Sequence, residues 1–405
     1  MADPILKFGN DFWAVRGGSE TDRGAALAYD DQNSEYKSIP IAHKRRSGGS
    51  YVDRDGLIKY AGMHEPRVDF LNNSKGHLLL EPSRTNYLRY SEDLSQSNWV
   101  KTNNGTGSSP VVTSNYATSP DGTQNASRVQ FDLNGGTTIS DRSKVYQDAG
   151  TGSSGNQAYS VYMKSNDSSS HILVFRALGG SLFQKTITTE WQRFTIDASD
   201  NSFYFEIGLY GDSATSDTAD ILIWGAQMEE GSYSTSYIPT DSYVVSRTND
   251  DSIRSANEYI LEGCNTEGVL YLEMAALFND LTQRRITISD GTYTNRIVVG
   301  YNSVSNRIFY FVINGGSTIA SGSYDSGTIT DFNKVAIKWK ANDFALWVNG
   351  AERHTDTSGG VFSSGTLNVF RFANAVGSQE FFGKIKEAKI FDLALSDTEL
   401  QALTS

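Results

Sequence analysis

Apolar and polar residues alternate with a period of two along most of this chain after residue 85, and that alternation predicts strands. In 159–164 (YSVYMK), Tyr159, Val161 and Met163 share one face; in 202–210, Phe203, Phe205, Ile207 and Leu209 do. Residues 191–196 and 219–228 continue the pattern, with Gly, Asn, Asp and Ser clusters between the runs. A second set of strands follows at 268–274, at 307–313 before an Asn314-Gly315-Gly316 turn, and at 334–340. In the last of these, Val335, Ile337 and Trp339 face one way, and Lys334, Ala336, Lys338 and Lys340 line the wet face. The next run sets Phe344, Leu346 and Val348 against Ala345 and Trp347 and ends in an Asn349-Gly350 turn. One helix is predicted, where Ser396 and Glu399 have capping-box spacing ahead of Leu400 and Leu403. The predicted class is therefore all-β, with two antiparallel β-sandwiches, the first jelly-roll-like.

Residues 1–84 lack sustained periodicity, which predicts three regions: an irregular N-terminal arm and connector at 1–84, a sandwich at 85–248 and a second at 249–405. The arm carries Phe8, Phe12, Trp13, Tyr29 and Tyr36, too many aromatics for a free tail, so packing on a partner or a symmetry mate is expected to order it. Its one basic cluster is His43, Lys44, Arg45 and Arg46.

The 405 residues carry 35 Lys and Arg against 47 Asp and Glu, a net charge of −12. The arm is neutral (12 against 12), while 85–248 and 249–405 are acidic (10 against 17, and 13 against 18). An acidic body argues against nucleic acid as a partner. Cys264 is the single cysteine, expected to be a small, partly buried apolar residue, so no intrachain disulfide is possible and nothing resembles a Cys-based zinc site. The first residues do not read as a signal peptide, and no apolar run is long enough for membrane insertion.

From 51 to 99 the chain reads YVDRDGLIKYAGMHEPRVDF, then GHLLLEPSRTNYLRYSEDLSQSNWV, broken by Glu65-Pro66 and Glu81-Pro82. Asp53, Asp55, Gly56, Leu57, Ile58, Pro66, Arg67 and Asp69, then 78–82, Arg84, Thr85, Asn86, Tyr90, Ser91, Glu92, Asp93 and Trp99, carry a resemblance to a module of tail-fibre and head-spike proteins of tailed bacteriophages. The phrase WGAQMEEGSYSTSYIPT at 224–240, with Ser246 and Arg247, resembles the ending of the same module. The second sandwich resembles concanavalin A-like (laminin-G or pentraxin-like) domains through Trp339, Leu346–Val348, Asn349 and Gly350, then Phe382, Gly383, Ile385, Glu387, Ile390, Phe391, Ala394, Leu395, Ser396, Glu399 and Leu403.

Catalytic constellations are not legible. Gly150 to Gly155 spell G-x-G-x-x-G in a Ser/Gly-rich loop with no strand–helix unit, and the five histidines are isolated. Glu273 stands alone where a glycosidase on this fold needs paired carboxylates. Trp347 is the candidate glycan platform, weighed against packing on a helix or another subunit. The lectin-like resemblance allows calcium, with Asp290, Asp325, Asp331 and Asp343 as ungrouped candidates, and no cofactor is assigned.

The resemblances imply a non-enzymatic virion protein, a tail-fibre or head-spike component displaying sandwiches for attachment to host surfaces, with glycan as the expected host ligand. Phe12, Trp13, His43, Lys44, Arg45 and Arg46 are then candidate contacts to other virion proteins (capsid, portal or tail), and a homo-oligomer, a trimer by preference, is expected. The alternatives are a purely architectural capsid decoration or tail component, and a polysaccharide depolymerase. Removing 1–84 is expected to leave a folded protein that no longer joins virions.

Overall fold

The computed structural model describes residues 6–9, 14–16, 24–30, 35–150, 155–177, 182–198, 204–254, 261 and 263–405. The chain divides into two compact units. One is Leu57–Lys59 with Ser83–Arg247; the other joins Met1–Gly56 and Tyr60–Pro82 to Thr248–Ser405. Both are built from antiparallel sheets.

In the first unit, strands Val100–Asn104, Arg142–Asp148, Tyr204–Tyr210, His171–Ala177 and Leu182–Ile187 form one sheet in that spatial order. Ser108–Thr118, Gln124–Asp132, Thr218–Glu230, Gln157–Ser165 and Gln192–Ala198 form the other. The alternating residues meet as the sequence predicts: Tyr159, Val161, Met163, Phe205, Ile207 and Leu209 share one buried core. The predicted Phe203 lies outside the described residues.

The phrases that carry the phage-like resemblance close this unit. Buried Asn86 donates from Nδ2 to the carbonyls of Ala226 (3.1 Å) and Ile238 (2.9 Å), and its Oδ1 accepts from the amides of Leu88 and Met228 (both 3.1 Å). The Tyr237 hydroxyl lies 2.6 Å from Ser91 Oγ and 3.0 Å from Glu92 Oε1. A buried amide with all four positions filled holds two distant segments in one register. These residues are therefore a structural clamp.

In the second unit one sheet runs Ala351–Asp356, Phe344–Val348, Asn333–Lys340, Glu267–Ala276, Gly383–Phe391, His77–Leu80, Val68–Asp69, with Leu6–Gly9 also pairing to Gly383–Phe391. The other runs Ala14–Arg16, Gly24–Asp30, Glu35–Lys44, Asp251–Arg254, Val369–Arg371, Arg284–Ser289, Arg296–Tyr301, Arg307–Asn314, Ser317–Asp325. Val335, Ile337, Trp339, Phe344, Leu346 and Val348 fill the shared core with Ile286, Ile288, Ile297, Val299, Ile308, Tyr310 and Val312. Asn349 and Gly350 both adopt positive φ (49° and 77°), the two-residue hairpin geometry that suits Asn-Gly.

The predicted helix is Asp397–Thr404, and both halves of its capping box are present. It covers what alternation reads as a wet face: Ala336 and Ala345 are fully buried with Val269, Tyr271 and Trp347 beneath Leu400 and Leu403. Lys338 is also buried, held 2.7 Å from Asp343.

Residues 1–84 do not form a separate arm. Six of their described strands extend the two sheets of the second unit, while Gly49–Val52 and Ile58–Ala61 pair with each other, so the partner for those six is the chain's own C-terminal half. The reason is a buried charge cluster. Arg67, from the PRVD phrase, donates to Glu81 (2.6 Å) and to Asp250; Arg45 donates to Asp250 (2.9 Å), and His43 Nε2 lies 3.2 Å from it. His43, Arg45, Arg67 and Asp250 are all at most 2% exposed. The charged partners facing Asp250 and its own depth fix its state: burial opposes ionisation, but Arg67, His43 and Arg45 hold its carboxyl well below the usual range.

Burial depresses His43, against the pull of Asp250, and burial aided by Lys384 and Lys386 lowers His77 to about 3. Asp69 lies 3.8 Å from His77, and burial raises its own pKa against the amides of Val52 and Leu71, which lower it. Imidazoles with depressed folded pKa values contribute stability that is complete above about pH 6.5 and is lost as pH falls toward the folded values. Asp69, raised, opposes this at the acid end, and Asp250 yields only at much lower pH. Stability of the second unit is thus expected to fall below about pH 6.5, His77 alone adding a slope approaching about 1.4 kcal/mol per pH unit. Urea unfolding at pH 7.5, 6 and 5 checks this, and His77→Gln should flatten the curve.

Candidate functional site

The strand register assembles a basin on the outer face of the nine-stranded sheet, opposite the residues that fill the core. Pairings Arg285 with Gly300 and Gly300 with Phe309 make one row across the face. Arg371 with Thr287, Thr287 with Val298 and Val298 with Phe311 make the next; Ser289 with Arg296 and Arg296 with Ile313 make the third. Small residues form the floor, and larger ones lean over it. Gly300 is required, because a Cβ there would meet the Arg284 carbonyl oxygen at 1.9 Å.

Two guanidinium groups lie against one ring. Arg285 Cζ is 5.4 Å from the Phe311 centroid and 5.8 Å from that of Phe309; Arg296 Cζ is 5.3 Å from Phe311 and 4.7 Å from Tyr293. A hydrogen-bonded rim joins them. Arg285 donates to Gln283 (3.1 Å), which accepts from Gln379 Nε2; Asn374 Nδ2 lies 3.2 Å from both Gln379 Oε1 and the Tyr293 hydroxyl; Arg296 donates to the Tyr293 carbonyl (2.9 Å). Arg371 reaches Gly377 on the same loop, where a Cβ would meet its Nη1 at 2.5 Å. Tyr293 is exposed, whereas Arg285, Arg296, Arg371 and Phe311 are half-buried.

The basin presents flat apolar faces, amide and hydroxyl hydrogen-bonding groups, and fixed positive charge. That combination suits a polar ligand with ring faces, such as a sugar.

The sequence-based candidates lie elsewhere. Trp347 is 7% exposed beneath the C-terminal helix, so the packing alternative describes it and it offers no platform for a sugar. His43 and Arg45 are locked into the Asp250 cluster and cannot contact another protein; Lys44 is half-buried and Arg46 exposed. Phe12 and Trp13 lie outside the described residues, as does part of the 150–155 glycine motif.

Among the calcium candidates, Asp290 accepts from Thr292 and Asn295, Asp325 from the Gly327 amide, and Asp343 pairs with Lys338. No group of three or more potential metal-binding side chains occurs among the described residues. Cys264 is buried, and burial pushes its thiol up to about 12.

Two arrangements resemble catalytic chemistry. Glu273 is not alone, since its cross-strand partner is Glu387, but Lys386 holds the first (2.7 Å) and Lys389 the second (2.9 Å). His171 Nε2 lies 3.0 Å from Asp167 and its Nδ1 3.3 Å from Ser216 Oγ. That hydroxyl donates its one proton to the Thr218 carbonyl, so it is not aligned for transfer to the imidazole.

Residues 277–401 match the model of the concanavalin A-like lectin/glucanases superfamily, so the sandwich that bears the basin is of that class. Among solved structures, the chain is similar to the CBM40 of the Ruminococcus gnavus IT-sialidase bound to α2,3-sialyllactose, at 18% identity over 35% of this chain and 85% of that one (TM-score 0.31). It is also similar to domain 4 of AbnA, a GH43 extracellular arabinanase from Geobacillus stearothermophilus, in complex with arabinotriose, at 13% identity over 44% and 83% (TM-score 0.32). A third is a heptameric SAP-like pentraxin from Limulus polyphemus, at 12% identity over 35% and 70% (TM-score 0.29). No curated protein matches the chain.

Proposed function

We propose that this chain is a non-enzymatic, glycan-binding attachment protein of a tailed-bacteriophage virion, a tail-fibre or head-spike component. The observation that supports glycan binding is the basin of Arg285, Arg296, Phe311 and Tyr293 on a sandwich of the lectin/glucanase class. The phage role is supported by the phrases at 51–99 and 224–247, and with it come virion partners and a homo-oligomer, a trimer by preference.

A glycan array probed with the full chain and with Phe311→Ala tests the reading. Binding by the first and at least a tenfold loss in the second, at unchanged thermal midpoint, is expected. A blank array with the protein still bound to capsids would favour the architectural alternative. Released oligosaccharides from host capsule or lipopolysaccharide would favour a depolymerase.

A further inference from the structure

The basin holds more positive charge than its surroundings neutralise. Among the described residues Arg285, Arg296 and Arg371 have no carboxylate ion partner, in a chain whose net charge is −12. The nearest acidic influence on Arg296 is Asp290, but its oxygens are taken by Thr292 (2.8 and 2.7 Å) and Asn295 (2.8 Å). Arg285 and Arg296 share the Phe311 ring, so each half-buried cation has a like charge as neighbour. Burial first, and Arg296 second, pull Arg285 below its ordinary value.

A second observation points into the same place. Thr287, fully buried on the floor between Val298 and Arg371, has a hydroxyl with no hydrogen-bond partner. An unpartnered buried hydroxyl beneath unneutralised guanidinium groups is a site left open for an oxygen-rich anion, since both costs fall when one arrives.

We propose that the basin takes an acidic glycan, with its anionic group (a carboxylate or a sulfate ester) between the guanidinium groups of Arg285 and Arg296. Arg371 and the Thr287 hydroxyl complete the anion's contacts, a planar guanidinium matching either oxyanion through paired N–H donors. Phe311 holds the two guanidinium groups in place, the exposed Tyr293 offers a ring beside Arg296, and Gln283, Asn374 and Gln379 offer contacts to sugar hydroxyls. This rests on the glycan-binding reading and narrows it to a charge class.

The test uses the full chain on a glycan panel that pairs each carboxylated glycan with its carboxyl-reduced form and each sulfated glycan with its unsulfated parent. At least tenfold weaker binding to the neutral member of a pair is expected, together with loss of that preference in the Arg285→Gln, Arg296→Gln double variant at an unchanged thermal midpoint. Preference within the first kind of pair identifies a carboxylate, and within the second a sulfate. Equal binding to both members of every pair overturns the inference while the glycan reading stands. A panel that stays blank throughout removes both. Preference retained in the double variant places the anion site elsewhere and also overturns it.

Discussion

Replacing Asp250 with alanine is expected to destabilise the second unit by about 3–5 kcal/mol, because the carboxylate shared by two buried guanidinium groups is removed from a buried ionic cluster. Asp250 is fully buried and accepts from Arg45 (2.9 Å), from Arg67 and from the Glu81 amide (2.9 Å). Without it Arg45 loses its carboxylate there and keeps the carbonyls of Ser47 (3.0 Å) and Gly62 (2.9 Å) and the His43 ring (3.4 Å), while Arg67 keeps Glu81 and the Ser50 carbonyl (3.0 Å). Asp250→Asn preserves shape but not charge, so it too should be costly. Urea unfolding of both variants gives the measurement, and a loss under about 1 kcal/mol in each would show that the cluster contributes little. The same cluster bears on truncation. Deleting 1–84 removes Arg45, Arg67, Glu81 and the strand His77–Leu80 from the core, so the product is expected to be misfolded and not a soluble, anchor-free protein.

Trp347→Ala should cost about 3–5 kcal/mol, the usual range for truncating a buried large aromatic. Its ring lies between the sheet and the helix Asp397–Thr404, against Tyr271, Ala336, Leu400 and Leu403, so the substitution opens a cavity that frees the helix. Glycan binding should not change while the protein remains folded, because Trp347 is on the outer face of the eight-stranded sheet and the basin is on the outer face of the nine-stranded one. Denaturation and array binding on one preparation separate the two effects. A variant of full stability that no longer binds glycan would return Trp347 to the role of sugar platform.

Much was legible in the sequence. Period-two alternation identified strands and their core-facing residues because the pleat permits only two sides, and Ser396 with Glu399 announced the helix because capping is local chemistry. Alternation does not say what covers the second side of a strand. Ala336, Lys338 and Trp347 read as a wet or binding face until a helix some fifty residues further on closes over them. Nor does the lack of periodicity in residues 1–84 show independence: strands such as Glu35–Lys44 and His77–Leu80 are flanked on both sides, one neighbour of each being a strand from the C-terminal half. Arg45 looked like one of a basic cluster, and its burial depends on Asp250, 205 positions away.

The basin was the least legible feature, for the same reason. Arg285, Arg296, Phe311 and Arg371 sit on four strands, and no local motif links them. By itself the sequence determined strand faces, hairpin turns and the helix cap, all set by interactions within a few residues. Only the tertiary structure decided which charges are buried in pairs and which remain unneutralised on a sheet face, because that depends on register between strands far apart in the chain.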